Sequence, residues 1–163
     1  WLTTDSNRMS WIAQTIKDIS SSGNTLILVD RISAGEILNK NLKDSVFISG
    51  STKNLERKEH YDEVSTTQNK IIIATYGVAS VGINIPRIFN LVLIEPGKSF
   101  VRVIQSIGRG IRKAEDKENV QIWDITSSCK FAKRHLGARK KFYKEANYPY
   151  NIEKIDYENP YTR

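Results

Sequence analysis

Apolar residues along the chain fall into two patterns. Five short uninterrupted runs, rich in β-branched side chains, lie at residues 25–30 (TLILVD), 45–48 (SVFI), 70–75 (KIIIAT), 90–95 (NLVLIE) and 120–126 (VQIWDIT). Runs of this length and composition read as buried strands. They do not alternate with polar positions, as expected when both faces of a parallel sheet are covered. The second pattern has the helical period. Residues 8–20 put Met9, Ile12, Ala13, Ile16 and Ile19 on one face, with Gly23 just beyond as a C-terminal stop. Ser33 and Glu36 have the spacing of a capping box for a helix running to about Leu42. Further helical stretches are read at 54–67, with Leu55, Tyr61 and Val64 as apolar contacts, from Ser99 to about Arg112, and from Ser127 or Ser128 to about Ala146.

Strands alternating with helices predict an α/β fold, a three-layer α/β/α sandwich with a mostly parallel sheet. Ligands of such sheets sit at the carboxyl ends of the strands. The informative segments are therefore 30–33, 49–53, 75–84 and 95–99. One domain is expected over 1–146, ending in a helix at about 128–146. A Tyr- and Pro-rich extension, 147–163, either packs on the sheet edge or ends loosely. Trp123, inside a strand, is expected in the core. His60 and His135 are read as surface residues. Cys129 is read as a half-buried helix residue with no His–acid partner pattern.

Composition narrows the class. The 163 residues are 39% apolar and 26% charged, which excludes a disordered, collagen-like or disulfide-scaffold chain. The single Cys129 allows neither an internal disulfide nor a Cys-rich metal site, so no metal is expected and a reducing compartment is. No apolar run exceeds four residues, which excludes a membrane-spanning helix or signal-peptide core. The chain opens on Trp1 rather than Met, and is expected to be an excerpt of something longer.

Charge is unevenly placed. Lys+Arg number 25 against 18 Asp+Glu, a net +7. Residues 130–145 alone hold Lys130, Lys133, Arg134, Arg139, Lys140, Lys141 and Lys144 against Glu145, so the rest of the chain is close to neutral. A polyanion is the natural partner of such a segment. Two readings stand side by side: a helix reaching nucleic acid, with Phe131, Phe142 and Tyr143 able to stack, or a solvated helix whose aromatics pack on the sheet.

Two segments carry candidate chemistry. In 99–113, SFVRVIQSIGRGIRK, Val101, Ile104, Ile107, Gly108 and Ile111 make one helical face. Arg102, Gln105, Arg109 and Arg112 make another. Gly108 and Gly110 each cost about 1 kcal/mol of helix propensity against Ala. Guanidinium groups suit phosphate oxygens, while a solvated basic face is the plain alternative. In 74–86, ATYGVASVGINIP, a strand ends at Thr75, where a hydroxyl and backbone N–H groups can meet a phosphate. Gly82 permits close approach, and Asn84 precedes Pro86. A tight strand–helix connection would look the same.

Taken together and in this order, the two segments resemble motifs V and VI of superfamily 2 helicases. Gln105, Gly108, Arg109 and Arg112 match the pattern Q-x-x-G-R-x-x-R. TLILVD with its following helix looks like motif IV, and FISGST at 47–52 looks like the strand and loop after it. The resemblance covers roughly residues 5–130 and is strongest to the phage UvsW type of recombination and repair helicase. It implies the second, C-terminal RecA-like domain of an ATP-dependent DNA motor. It further implies that Arg109 and Arg112 are arginine fingers for the γ-phosphate and that Gln105 positions them. Gly82, Asn84 and Gly108 would line the nucleotide side of the cleft. Thr75, Arg31, Gly50, Ser51 and Thr52 would follow the nucleic-acid backbone. Lys133, Lys140 and Lys141 lie beyond the recognised motifs, and on charge alone they are the candidate nucleic-acid contacts of the basic segment. Many relatives carry Asp where Asn84 stands and a basic residue where Ser106 stands.

The sequence has no G-x-x-x-x-G-K-[ST] loop and no acidic pair at a strand end, for Asp30 and Asp124 are isolated acids in the sequence. By the family mechanism the chain on its own is expected not to hydrolyse ATP. ATP and Mg²⁺ would be held mainly by an N-terminal RecA-like domain outside this sequence. DNA, single-stranded or branched, and that domain are the expected partners, with no membrane. The expected location is the cytoplasm, that of a bacterial host if the chain is phage-encoded. The alternative is a non-enzymatic α/β nucleic-acid-binding module acting through its basic tail. A weaker one is a small nucleotide-binding domain of another enzyme.

Overall fold

A computed structural model describes residues 6–43, 45–50, 69–80, 88–94, 96, 121–125, 136, 137 and 139–141. Within them the order is α1 (Ser6–Ser20), β1 (Thr25–Val29), α2 (Ile32–Asn41), β2 (Val46–Ile48), β3 (Ile71–Thr75), α3 (Tyr76–Ser80), β4 (Asn90–Ile94) and β5 (Gln121–Ile125). Leu136, Gly137 and residues 139–141 are helical. The helices expected at 54–67 and 99–112, and the extension 147–163, lie outside the described residues.

All five expected strands form, and they pair in the order β2-β3-β1-β4-β5. Every pairing is parallel. The uninterrupted apolar runs follow from this. Successive side chains point to opposite faces, and both faces are covered. Ile27, Val29, Ile71, Ile73, Val92 and Ile94 pack under α1 and α2. Leu26, Leu28, Ile72, Ala74, Leu91 and Leu93 pack on the other side with Tyr76, Val78 and Ala79 of α3. The helical face read in α1 is the one buried, at Met9, Ile12, Ala13, Ile16 and Ile19.

Two glycines are demanded by the fold. Gly23 ends α1 at φ +151°, with its amide on the Ser20 carbonyl at 3.2 Å. Gly35 lets α2 lie directly on β2, since a Cβ there would stand 2.2 Å from Phe47 Cε2.

Two expectations are corrected. Ser33 does not cap α2. Arg31 occupies the N-cap position in extended conformation (φ −114°, ψ 144°), and its side chain makes no capping bond. The helix starts immediately where β1 releases the chain, which puts Ser33 inside the first turn. Trp123 is not core. It lies on β5, which stands at the end of the strand order among the described residues, and is 40% exposed. Its Nε1 donates to Asn90 Oδ1 at 3.3 Å.

The amino edge of the sheet is closed by buried amides. Asn24 Oδ1 accepts from the Lys70 amide at 2.7 Å, and Asn90 Nδ2 donates to the Ile19 carbonyl at 3.3 Å and to Ser22 Oγ at 3.0 Å. Their polar groups hold the strand starts and the end of α1 together. The carboxyl edge is built differently.

Candidate functional site

Three of the five strands end in residues singled out for chemistry. β1 ends at Val29, followed by Asp30 and Arg31, both exposed. β2 ends at Ile48, with Gly50 exposed two residues later. β3 ends at Thr75 itself, half-buried. Strand register brings these together: Thr75 is paired with Val29, and Ala74 with both Leu28 and Ile48. Adjacent strands are about 4.8 Å apart, so three segments far apart in sequence leave the sheet side by side on one edge. Arg31, Gly50 and Thr75 therefore share one rim.

The local chemistry differs at each point. Thr75 Oγ1 accepts the Val78 amide at 3.3 Å and so caps α3. A hydroxyl that accepts in this way still has its own proton to donate. A Cβ at Gly50 would meet nothing within 4 Å, so internal packing does not require glycine there. Arg31 is exposed and sits in extended backbone immediately before α2. No acidic residue lies in the first turn of α2 behind it, which leaves the exposed Asp30 as its immediate acidic neighbour in the chain.

On the β4 side the rim is tied down. The Tyr76 hydroxyl, buried, donates to the Ile94 carbonyl at 3.0 Å. Arg139, 2% exposed, sets its guanidinium on Asp124 through two bonds, Nε to Oδ2 at 2.6 Å and Nη2 to Oδ1 at 2.9 Å. Its Nη1 donates to the Pro96 carbonyl at 2.8 Å. Asp124, isolated in the sequence, thus has a partner, and Arg139 is withdrawn from the basic surface to which its neighbours in sequence were assigned. Lys140 is half-buried and Lys141 exposed. Sequence reasoning missed Tyr76 and this pair. The available signal was an acid, Asp124, inside a predicted strand, which calls for a partner where it is shielded from water.

Ser51, Thr52, Gly82, Asn84, Gln105, Gly108, Arg109, Arg112 and Lys133 lie outside the described residues. Among the described residues no cluster of three His, Cys, Asp or Glu side chains is placed to hold a metal ion, and no helix is long and apolar enough to cross a membrane.

Residues 7–114 match the helicase conserved C-terminal domain. The chain belongs to that family. This helicase domain is 32% identical over 142 residues to the ATP-dependent DNA helicase UvsW of Enterobacteria phage T4, a match that covers 84% of this chain and 28% of that protein. The crystal structure of T4 UvsW superposes with a TM-score of 0.79 at 22% identity, over 96% of this chain and 36% of that one. The C-terminal domain of the DEAD-box protein Dbp5 superposes with a TM-score of 0.62 at 19% identity, over 82% and 78% of the two chains. The fold is therefore the RecA-like one of helicase C-terminal domains. The chain spans less than a third of the length of its curated phage relative.

Proposed function

We propose that this helicase domain is the second half of an ATP-dependent DNA motor of the UvsW type, acting in recombination, repair or branch migration. In this reading it supplies arginine fingers and half of the nucleic-acid track. The observation that carries the reading is the shared rim. Arg31, Gly50 and Thr75 stand together on the carboxyl edge, while the amino edge is consumed by Asn24 and Asn90. Identity to a phage DNA helicase over most of the chain supports it.

The roles follow from side-chain chemistry. Arg31 offers a fixed charge to a phosphate, Thr75 a hydroxyl proton, and Gly50, with Ser51 and Thr52, a backbone open to close approach. Contacts of this kind set position and are indifferent to base sequence. Lys133, Lys140 and Lys141 add charge from the C-terminal segment. Arg109 and Arg112 neutralise charge that develops on a transferring γ-phosphoryl group, an effect worth about 10³–10⁵ in rate in other NTPases. Gln105 holds them in position, and Gly82, Asn84 and Gly108 let the chain approach the nucleotide. ATP and Mg²⁺ belong mainly to an N-terminal RecA-like domain, because this sequence lacks the lysine-bearing phosphate loop.

The test uses Arg112→Ala and Arg109→Ala in a protein that joins this domain to such an N-terminal domain. Each is expected to abolish ATP turnover while DNA binding persists, and the 163-residue chain alone is expected to turn over no ATP. Wild-type turnover in the Arg112→Ala protein overturns the finger assignment.

A further inference from the structure

The Arg139–Asp124 pair is used neither by the rim nor by the fingers, yet it is the most completely buried charged contact described. Arg139 is 2% exposed, and its side chain spans three pieces of the chain: the C-terminal helical segment, β5 through Asp124, and the residue two beyond β4 through the Pro96 carbonyl. Replacing such a pair with apolar side chains is often neutral or stabilising, so stability alone is a poor reason for it. A planar fork held at three points instead fixes where its own backbone sits.

The place it fixes is informative. Asp124 is in register with Leu93, the penultimate residue of β4, and Pro96 lies beyond the end of that strand. The clasp therefore sits at the carboxyl edge of a parallel sheet, the edge that carries Arg31, Gly50 and Thr75. β4 is the direct neighbour of β1, from whose end Arg31 projects. The next two residues after Arg139 are Lys140, half-buried, and Lys141, exposed.

We propose that Arg139, held by Asp124 and the Pro96 carbonyl, is a positioning residue that seats the basic C-terminal helical segment on the carboxyl edge, so that Lys140 and Lys141 extend the phosphate-binding track begun by Arg31 and Thr75. This rests on the nucleic-acid reading given above and adds to it the device that sets where the lysines stand. One member of a run of basic residues is spent on anchoring, and its neighbours are thereby aimed.

The experiment measures binding of a fluorescein-labelled single-stranded oligonucleotide by the full chain as a function of salt. Five proteins are compared: wild type, Lys140→Ala/Lys141→Ala, Asp124→Leu/Arg139→Met, the four combined, and Arg139→Lys. The lysine variant is expected to lower the slope of log K against log salt by about 1.4, two phosphate contacts on a single strand. The Asp124→Leu/Arg139→Met protein, with both lysines intact, is expected to stay folded, to melt somewhat lower because the buried Pro96 carbonyl loses its donor, and to show the same reduced slope. Adding the lysine changes to it is then expected to do nothing further. Arg139→Lys keeps the charge and loses the fork, and is expected to recover only part of the slope.

If the lysine changes lower the slope equally with and without the pair, the positioning role is overturned. If they have no effect in wild type while Arg31→Ala still weakens binding, the clasp inference fails and the nucleic-acid reading stands. If wild type does not bind the oligonucleotide at all, both fall. Should Asp124→Leu/Arg139→Met not fold, the Arg139→Lys slope decides: a wild-type value overturns the proposal and a reduced one supports it.

Discussion

The Tyr76 hydroxyl reaches across β1 to the Ile94 carbonyl. Tyr76 follows β3, Ile94 ends β4, and β1 lies between those strands, so this 3.0 Å bond spans the middle of the sheet beneath its carboxyl edge. Removing one buried hydrogen-bonding partner costs about 1–3 kcal/mol. Tyr76→Phe is expected to lower unfolding stability by about that much in urea titration, with an unchanged m-value.

Thr75 has a structural and a proposed binding role, which two substitutions separate. Thr75→Val removes the cap on the Val78 amide and is expected to cost about 1 kcal/mol of stability. It also removes the hydroxyl proton offered to a phosphate, so oligonucleotide affinity should fall as well. Thr75→Ser keeps both functions of the oxygen and is expected to match wild type in thermal melts and in binding. Equal binding by the valine and serine proteins would remove Thr75 from the track.

Arg31 gives the cleanest separation of fold from function. It is exposed, and its side chain does not cap α2. Arg31→Ala is therefore expected to change stability by less than about 0.5 kcal/mol. Its oligonucleotide-binding salt slope is expected to fall by about 0.7, one phosphate contact. Anisotropy titrations at several salt concentrations check this directly.

Gly35 tests the seating of α2. Alanine is the better helix former by about 1 kcal/mol, but its Cβ would stand 2.2 Å from the Phe47 ring. Overpacking of this kind costs typically about 1–3 kcal/mol, so Gly35→Ala is expected to be destabilising overall. Combined with Phe47→Leu, the penalty is expected to shrink well below the sum of the single changes, as for residues in contact. Chemical denaturation of the four proteins completes the cycle.

The candidate site was legible in part. The hydrophobic pattern marked the segments 30–33, 49–53 and 75–84 that follow the strands, and the helicase resemblance singled out Arg31, Gly50 and Thr75 within them; the structure puts those three positions on one edge of the sheet. Trp123 was misjudged for the converse reason, and the inward pairing of Arg139 was not legible in the basic run. A basic run reads as surface when each residue is weighed by its neighbours in sequence, and a Trp in an apolar run reads as core. Asp124 on β5 pairs with the buried arginine, and the indole, on the last strand of the order among the described residues, is 40% exposed.

Period and run length are local properties of the chain, and they showed the five strands, the helices α1 and α2, and the burial of the central strands β1, β3 and β4 on both faces. The sequence by itself also determined the family, through residue patterns within short windows. Tertiary structure alone decided the strand order β2-β3-β1-β4-β5, and with it that Arg31, Gly50 and Thr75 stand on one rim, that Tyr76 spans to β4, and that Arg139 faces inward. Each depends on contacts between segments tens of residues apart, whose energies are set by the packing of the whole sheet.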